Sequence, residues 1–82
     1  MKFGKAKLIR ILHQETGIPV RDIIDYGKYE NFGNKERLVI GAHTIIAKNG
    51  EISIMEPVFE ADEMRYKIRI VGGELNERDQ DL

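Results

Sequence analysis

The sequence predicts a small α+β domain in which two N-terminal helices precede a three-stranded antiparallel β-meander. Three observations lead to this prediction. Apolar residues recur at the helical period near the N-terminus. Asn49-Gly50 joins two runs rich in β-branched residues. In residues 64–71, apolar or aromatic residues alternate with charged ones. The 82 residues are enough for one domain with a modest core.

Composition narrows the classes of function. A hydrophobic content of 41% and a charged content of 33% are typical of a soluble globular domain. The chain has no cysteine, which excludes disulfides and thiolate metal sites. The net charge of −1 argues against a strongly electrostatic nucleic-acid binder. Because no apolar run is long enough to span a membrane and no N-terminal signal is visible, we expect a cytoplasmic protein without membrane contact.

The first helix is predicted over residues 4–16. Its apolar side chains form one stripe at the helical period: Leu8, Ile9, Ile11 and Leu12. Gly17 follows, where glycine commonly ends a helix.

A short second helix is predicted over residues 19–26. Val20, Ile23 and Ile24 fit the helical period better than strand alternation, and Pro19 suits the first turn of a helix. A strand is the alternative for this segment, because the pattern is short.

The sheet is predicted from strands at 37–47, 51–58 and 64–71, with a loop over 27–37. A two-residue turn at Asn49-Gly50 places Ile45 opposite Ile54 and His43 opposite Glu56. A loop over 60–63 then places Phe59 opposite Met64 and Glu56 opposite Lys67. Pro57 conflicts with a central strand because it cannot donate to a ladder, so we expect pairing to stop near Glu56 or a bulge to intervene.

This register gives the sheet two apolar sides, and one long helix covers only one of them. We expect the first helix to pack on the side that carries Ile40, Ile46, Met55, Tyr66, Ile68 and Ile70. The other side is then an open face of the kind that marks an interface. Its predicted interface residues are Val39, His43, Ile45, Ile52, Ile54, Glu56 and Val58.

Nucleic-acid binding is the alternative function. A basic strand would follow a phosphate backbone, and an aromatic loop with interleaved cations would stack on bases. The residues of this alternative site are Arg65, Lys67 and Arg69 on the strand, with Tyr26, Tyr29, Phe32, Lys35 and Arg37 in and around the loop. A helix-turn-helix reader is disfavoured, since Asp22 and Asp25 of its second helix would face phosphate.

Catalysis has only weak support in the sequence. His43 opposite Glu56 resembles a base and its orienter, or two metal ligands, but a third ligand and a nucleophile are lacking. We interpret the two residues as a cross-strand polar pair. We therefore expect no catalytic residues, no metal, no cofactor and no small-molecule ligand.

The sequence thus predicts one domain over residues 1–73 and a flexible acidic tail over 74–82. The expected function is that of a non-catalytic interaction module, such as a regulator, an inhibitor or an accessory protein. It is expected to bind a protein partner, or itself as a homodimer, through the open sheet face.

Overall fold

The computed structural model describes residues 2–71 and shows two helices followed by an antiparallel sheet. The sheet has five strands in the order β1-β2-β3-β4-β5, so each strand pairs with its neighbours along the chain. The elements are α1 (Lys5–Thr16), α2 (Val20–Tyr26), β1 (Lys28–Asn31), β2 (Lys35–Ile40), β3 (His43–Lys48), β4 (Glu51–Glu60) and β5 (Glu63–Val71). The α+β class is confirmed, whereas the prediction of three strands is wrong. The predicted tail at 74–82 lies outside the described residues.

Both predicted helices are confirmed, with local causes for their ends. Gly17 follows α1 in the left-handed conformation, with φ of 82°, and donates its N–H to the His13 carbonyl at 2.8 Å. Pro19 precedes α2 in an extended conformation, with ψ of 139°. Leu8 and Leu12 of α1 and Ile23 of α2 are buried, as the apolar stripe predicts.

The first missed strand results from a second tight turn. Residues 37–47 are not one strand, because the chain reverses at Gly41 and Ala42 between β2 and β3. Gly41 has a φ of 60°, a left-handed conformation that glycine adopts without steric cost. The reversal places Leu38 opposite Ile45, so both side chains lie on the same face of the sheet.

The second missed strand lies in the segment predicted to be a loop. Residues Lys28–Asn31 form β1, which pairs with β2 in the register Tyr29 opposite Leu38. A turn around Gly33, with φ of 88°, connects β1 to β2. The Phe32 N–H donates to the Lys35 carbonyl at 2.7 Å across this turn.

The predicted registers of the later strands are confirmed wherever the strands pair, but the pairing of β3 with β4 ends at Thr44–Met55 and does not include His43 with Glu56. Asn49 and Gly50 both have positive φ, at 52° and 82°, and Ile45 pairs with Ile54. Between β4 and β5, Phe59 pairs with Met64 and Glu56 pairs with Lys67. The predicted loop over 60–63 is wrong in length, because Glu60 pairs with Glu63 and the chain turns at Ala61 and Asp62, which both have positive φ.

Pro57 is accommodated because β3 does not extend alongside it. The pairing of β3 with β4 ends at Thr44 and Met55, so from Pro57 onward β4 is paired with β5 alone among the described residues. One side of β4 therefore has no ladder to complete at this position, which is where proline is tolerated in sheets.

The helices cover the opposite face of the sheet from the one predicted. The core consists of Leu8, Leu12 and Ile23 from the helices and of Leu38, Ile45, Ala47, Ile52 and Ile54 from the sheet. The expected core side is wrong because it assumes one continuous strand over 37–47, in which Leu38 and Ile45 lie on opposite faces of the sheet. The hairpin at Gly41 instead places both side chains on the same face. The hairpin thereby concentrates the β-branched side chains of three strands beneath α1 and α2.

Two polar contacts hold α1 on this face. At its N-terminal end, the buried Glu36 carboxylate accepts hydrogen bonds from the N–H groups of Phe3 and Gly4, at 2.7 and 2.8 Å, and from the Tyr29 hydroxyl at 2.9 Å. At its C-terminal end, Arg69 of β5 donates to the Glu15 side chain at 2.7 Å.

Candidate interaction surface

An apolar surface occupies the face of β4 and β5 that points away from the helices. Side chains alternate along a strand, and Ile54 and its partner Arg69 point towards the helices. Their neighbours in sequence must therefore point outward. We call this surface the outer patch, formed by Met55, Pro57, Phe59, Met64, Tyr66, Ile68 and Ile70.

The residues of the outer patch form continuous cross-strand pairs. Met55 lies opposite Ile68, Pro57 opposite Tyr66, and Phe59 opposite Met64. Such pairs place their Cβ atoms about 4.5–5.5 Å apart, which leaves little room for water between them. The outer patch is thus one surface rather than a set of scattered side chains.

The outer patch is unusually exposed for its composition. Phe59 is 76% exposed and Ile68 is 66% exposed, and Met64, Tyr66 and Ile70 are all above 40%. Each such side chain forgoes roughly 1.5–3 kcal/mol relative to full burial. Contiguous exposed apolar surface of this kind marks interaction sites more often than free monomer surface.

Most of the predicted interface residues are not exposed. Ile45 and Ile54 are completely buried and Ile52 is 7% exposed, because the helices pack on them. Glu56, Val58 and His43 are half-buried on the same side of the sheet as this core. Among the predicted set, Val39 is the residue on the outer face, where it pairs with Thr44 and is half-buried. The prediction that this set forms an open face is therefore wrong.

The outer patch was missed because alternation does not tell which side of a strand is buried. In β5 the sequence alternates apolar and charged residues, which is the usual pattern of a half-buried strand. Here the charged side faces the helix layer, where Arg69 meets Glu15, and the apolar side faces outward. The sequence carries no local signal for this choice, because it depends on which face of the sheet the helices cover.

Glu56 makes its polar contact with Arg69. Arg69 Nε donates to Glu56 Oε2 at 2.8 Å, and its Nη2 donates to the backbone carbonyl of Glu15 at 3.2 Å. The hydrogen bond from Arg69 holds the pKa of Glu56 below its usual range, with Lys67 and His43 adding to the effect. These contacts build a structural ion pair between Arg69 and Glu56.

The basic strand is only partly available to a phosphate backbone. Arg69 is engaged by Glu56 and Glu15, and its side chain is 33% exposed. Arg65 is well exposed and contacts Glu63 at 3.2 Å. Lys67 is exposed on the same side of β5.

One aromatic residue of the predicted aromatic loop makes a contact within the fold, and two are exposed. Tyr29 is half-buried and donates its hydroxyl to Glu36, which is a contact within the fold. Phe32 is 50% exposed, with Lys35 and Arg37 within 5.4 and 5.1 Å of its ring centre. Tyr26, at the end of α2, is 72% exposed.

A second apolar depression lies between the helices on the far side from the sheet. It is an open groove of about 300 Å³. Its lining consists of Ala6, Ile9, Arg10, Val20 and Ile24. The groove is small and shallow, so a substitution beside it serves as a control for one in the outer patch.

Over residues 2–71, the structure brings together no group of three or more histidine or carboxylate side chains that could hold a metal ion. No helix in this part of the chain is long and apolar enough to cross a membrane. No protein-family model, no curated protein and no solved structure matches this chain.

Proposed function

We propose that this protein is a non-catalytic interaction module, such as a regulator, an inhibitor or an accessory protein. It binds another protein, or a second copy of itself, through the outer patch. The observation that carries the proposal is the exposure, from 43% to 76%, of five large apolar side chains on one face of β4 and β5: Phe59, Met64, Tyr66, Ile68 and Ile70.

The composition of the outer patch supports this proposal. Aromatic residues and methionine are enriched at the centres of protein interfaces, and Tyr66, Phe59 and Met64 supply both types. Aromatic anchors lose little conformational entropy on binding relative to the area that they bury. Beyond the end of β3, β4 pairs only with β5 among the described residues, so the hairpin of β4 and β5 extends past the rest of the sheet.

Nucleic-acid binding is the weaker candidate. Its support is Phe32, which is half exposed and flanked by the cations of Lys35 and Arg37, an arrangement that suits base stacking. Tyr29 and Arg69 are already committed to contacts within the fold, which removes two members of the predicted site. Binding to single-stranded oligonucleotides that weakens steeply with added salt would favour this candidate.

A comparison of two isoleucines tests the outer patch. Ile68 lies in the outer patch and is 66% exposed, whereas Ile24 lies on α2 beside the helix groove and is 55% exposed. Both positions tolerate a lysine without burying its charge. We propose to immobilise the wild type, Ile68→Lys and Ile24→Lys, and to quantify by mass spectrometry the proteins that each retains from a lysate of the source cells. Sedimentation velocity of each protein over a range of concentrations measures self-association in parallel.

The proposal expects a retained protein, or a self-associated species, that Ile68→Lys loses and Ile24→Lys keeps. The reverse pattern would move the interface to the helix groove. The proposal would be overturned if the wild type is monomeric and Ile68→Lys retains every protein that the wild type retains.

A further inference from the structure

The free edge of β5 has the features of a strand acceptor. Within residues 2–71, β5 is the last strand of the sheet and pairs with β4 on one side only. It is nine residues long, whereas the strand at the opposite edge, β1, has four. Its other side therefore presents a row of backbone N–H and C=O groups that a further strand can complete.

We propose that β5 binds an extended segment of another protein as an added strand, and that this segment alternates acidic and apolar side chains. The inference rests on the proposed function and specifies the chemistry of the partner. Strand addition of this kind takes its affinity from main-chain hydrogen bonds and its selectivity from alternate side chains.

The edge lacks most of the devices that block strand addition. Proteins commonly protect an edge with a proline, a bulge or a very short strand. β5 has no proline, and its register with β4 runs without interruption from the pair Ile52–Val71 to the pair Glu60–Glu63. Its protection is limited to charge on the helix side.

That charge selects for acidic residues in the added strand. The helix side of β5 carries Arg65, Lys67 and Arg69, with Glu63 at the hairpin end. Arg69 is neutralised by Glu56 and Glu15, but Lys67 is exposed and Arg65, among residues 2–71, pairs with the exposed Glu63 alone. Cross-strand neighbours of opposite charge stabilise a sheet, so carboxylates belong opposite Arg65 and Lys67.

The outer side of β5 selects for apolar residues at the intervening positions. Tyr66, Ile68 and Ile70 lie at this edge of the outer patch and are exposed. Apolar side chains of an added strand would extend the outer patch across the new strand and cover part of it. The alternation of β5 thus specifies a complementary alternation in its partner.

A second copy of β5 does not satisfy this requirement. Antiparallel pairing of two β5 strands about Lys67 places Arg65 opposite Arg69 of the other copy. Pairing about Tyr66 places Arg65 opposite Lys67. Like charges directly opposite each other are destabilising, so the basic side disfavours self-pairing.

Synthetic peptides test the inference directly. The probe is a fluorescent nine-residue peptide of alternating Glu and Val with blocked ends, and its control has Lys in place of Glu. Binding is measured by fluorescence anisotropy with the wild type and with the double variant Arg65→Glu/Lys67→Glu. We expect the wild type to prefer the Glu peptide by about tenfold and the double variant to reverse the preference, since two cross-strand ion pairs change sign.

N-methylation shows whether the peptide binds as a strand. Only alternate N–H groups of an added strand point at the edge that it joins. We expect the Glu peptide to lose binding when methylated on the backbone nitrogens of one set of alternate residues, and to keep it when the other set is methylated. Strand addition would be overturned if the wild type binds the Glu and Lys peptides equally well, or if it binds neither. Equal binding of the two methylated peptides would also overturn it.

The peptide tests and the capture experiment test different claims, so one can fail while the other succeeds. If the peptides fail while Ile68→Lys still loses a partner that Ile24→Lys keeps, the outer patch is an interface but the edge is not a strand acceptor. If the capture experiment also fails, the proposed function itself is overturned.

Discussion

Glu36 Oε1 accepts a 2.8 Å hydrogen bond from the backbone N–H of Gly4, the residue that precedes α1. This contact joins the turn-proximal start of β2 to the start of α1 and places a negative charge at the positive end of the helix. It helps to fix which face of the sheet α1 covers. The same contact therefore helps to determine that the outer patch stays uncovered.

Removing the charge of Glu36 should destabilise the protein. Glu36 is 2% exposed and accepts three hydrogen bonds, and Glu36→Gln replaces one acceptor with an N–H₂ group that faces donors. We expect a loss of about 1.5–3 kcal/mol in the free energy of unfolding, measured by urea denaturation. Tyr29→Phe is the control, since it removes only one of the three hydrogen bonds and should cost about 1 kcal/mol. Equal stability of Glu36→Gln and the wild type would contradict this role.

Stability should fall as the pH is lowered below the ordinary range of carboxyl groups. Burial raises the pKa of Glu36, but the hydrogen bonds from Phe3, Gly4 and Tyr29 outweigh it and leave that pKa below its usual value. The unfolded state then binds protons first, so the stabilising contribution is complete above about pH 4.3 and is lost towards the lower folded pKa. Urea denaturation between pH 7 and pH 3 should show this loss in the wild type and a smaller loss in Glu36→Gln. Identical pH dependences would refute it.

The turn between β3 and β4 should be sensitive to a side chain at Gly50. Gly50 has a φ of 82° and nothing within 4 Å of the position that a Cβ would occupy, so the cost of Gly50→Val comes from backbone strain. We expect a destabilisation of about 1–3 kcal/mol, seen as a lower chemical-denaturation midpoint. Lys48→Val, one residue before the turn on an exposed strand position, should have little effect. An unchanged midpoint for Gly50→Val would rule out the two-residue turn.

The same substitution at two isoleucines on adjoining strands should change the stability of the protein by very different amounts. Ile54 is completely buried and faces the helices, so Ile54→Lys buries an unpaired charge and should cost more than about 4 kcal/mol. Ile68 is 66% exposed on the outer face, so Ile68→Lys should change stability by no more than about 0.5 kcal/mol. Thermal melting monitored by circular dichroism separates the two. A folded Ile54→Lys together with an unfolded Ile68→Lys would mean that the faces are assigned the wrong way round.

Local patterns predicted the elements better than their arrangement. The helical stripe with its terminal glycine located α1, and Asn49-Gly50 gave the register between β3 and β4, because each signal lies within a few neighbouring residues. The turn at Gly41 was missed because a single glycine followed by alanine, within a β-branched run, is a weak turn signal. That one error changed which side chains share a face with Leu38.

The predicted open face and the outer patch lie on opposite sides of the sheet. The count of apolar residues correctly implied more sheet surface than the helices cover, and the outer patch is that surplus. Its identity depended on which face α1 occupies, which is determined by contacts distant in sequence, such as Glu36 with Gly4 and Arg69 with Glu15. Periodicity within a strand carries no information about such contacts.

The central claim is that the outer patch is a binding surface, and one affinity comparison tests it most directly. The measurement is isothermal titration calorimetry of the retained partner against the wild type, Ile68→Lys and Ile24→Lys, or sedimentation equilibrium if the partner is a second copy. We predict that Ile68→Lys weakens binding by about thirtyfold or more, as expected for a central interface residue, while Ile24→Lys binds as the wild type does. Equal affinities for the wild type and a folded Ile68→Lys would contradict the claim.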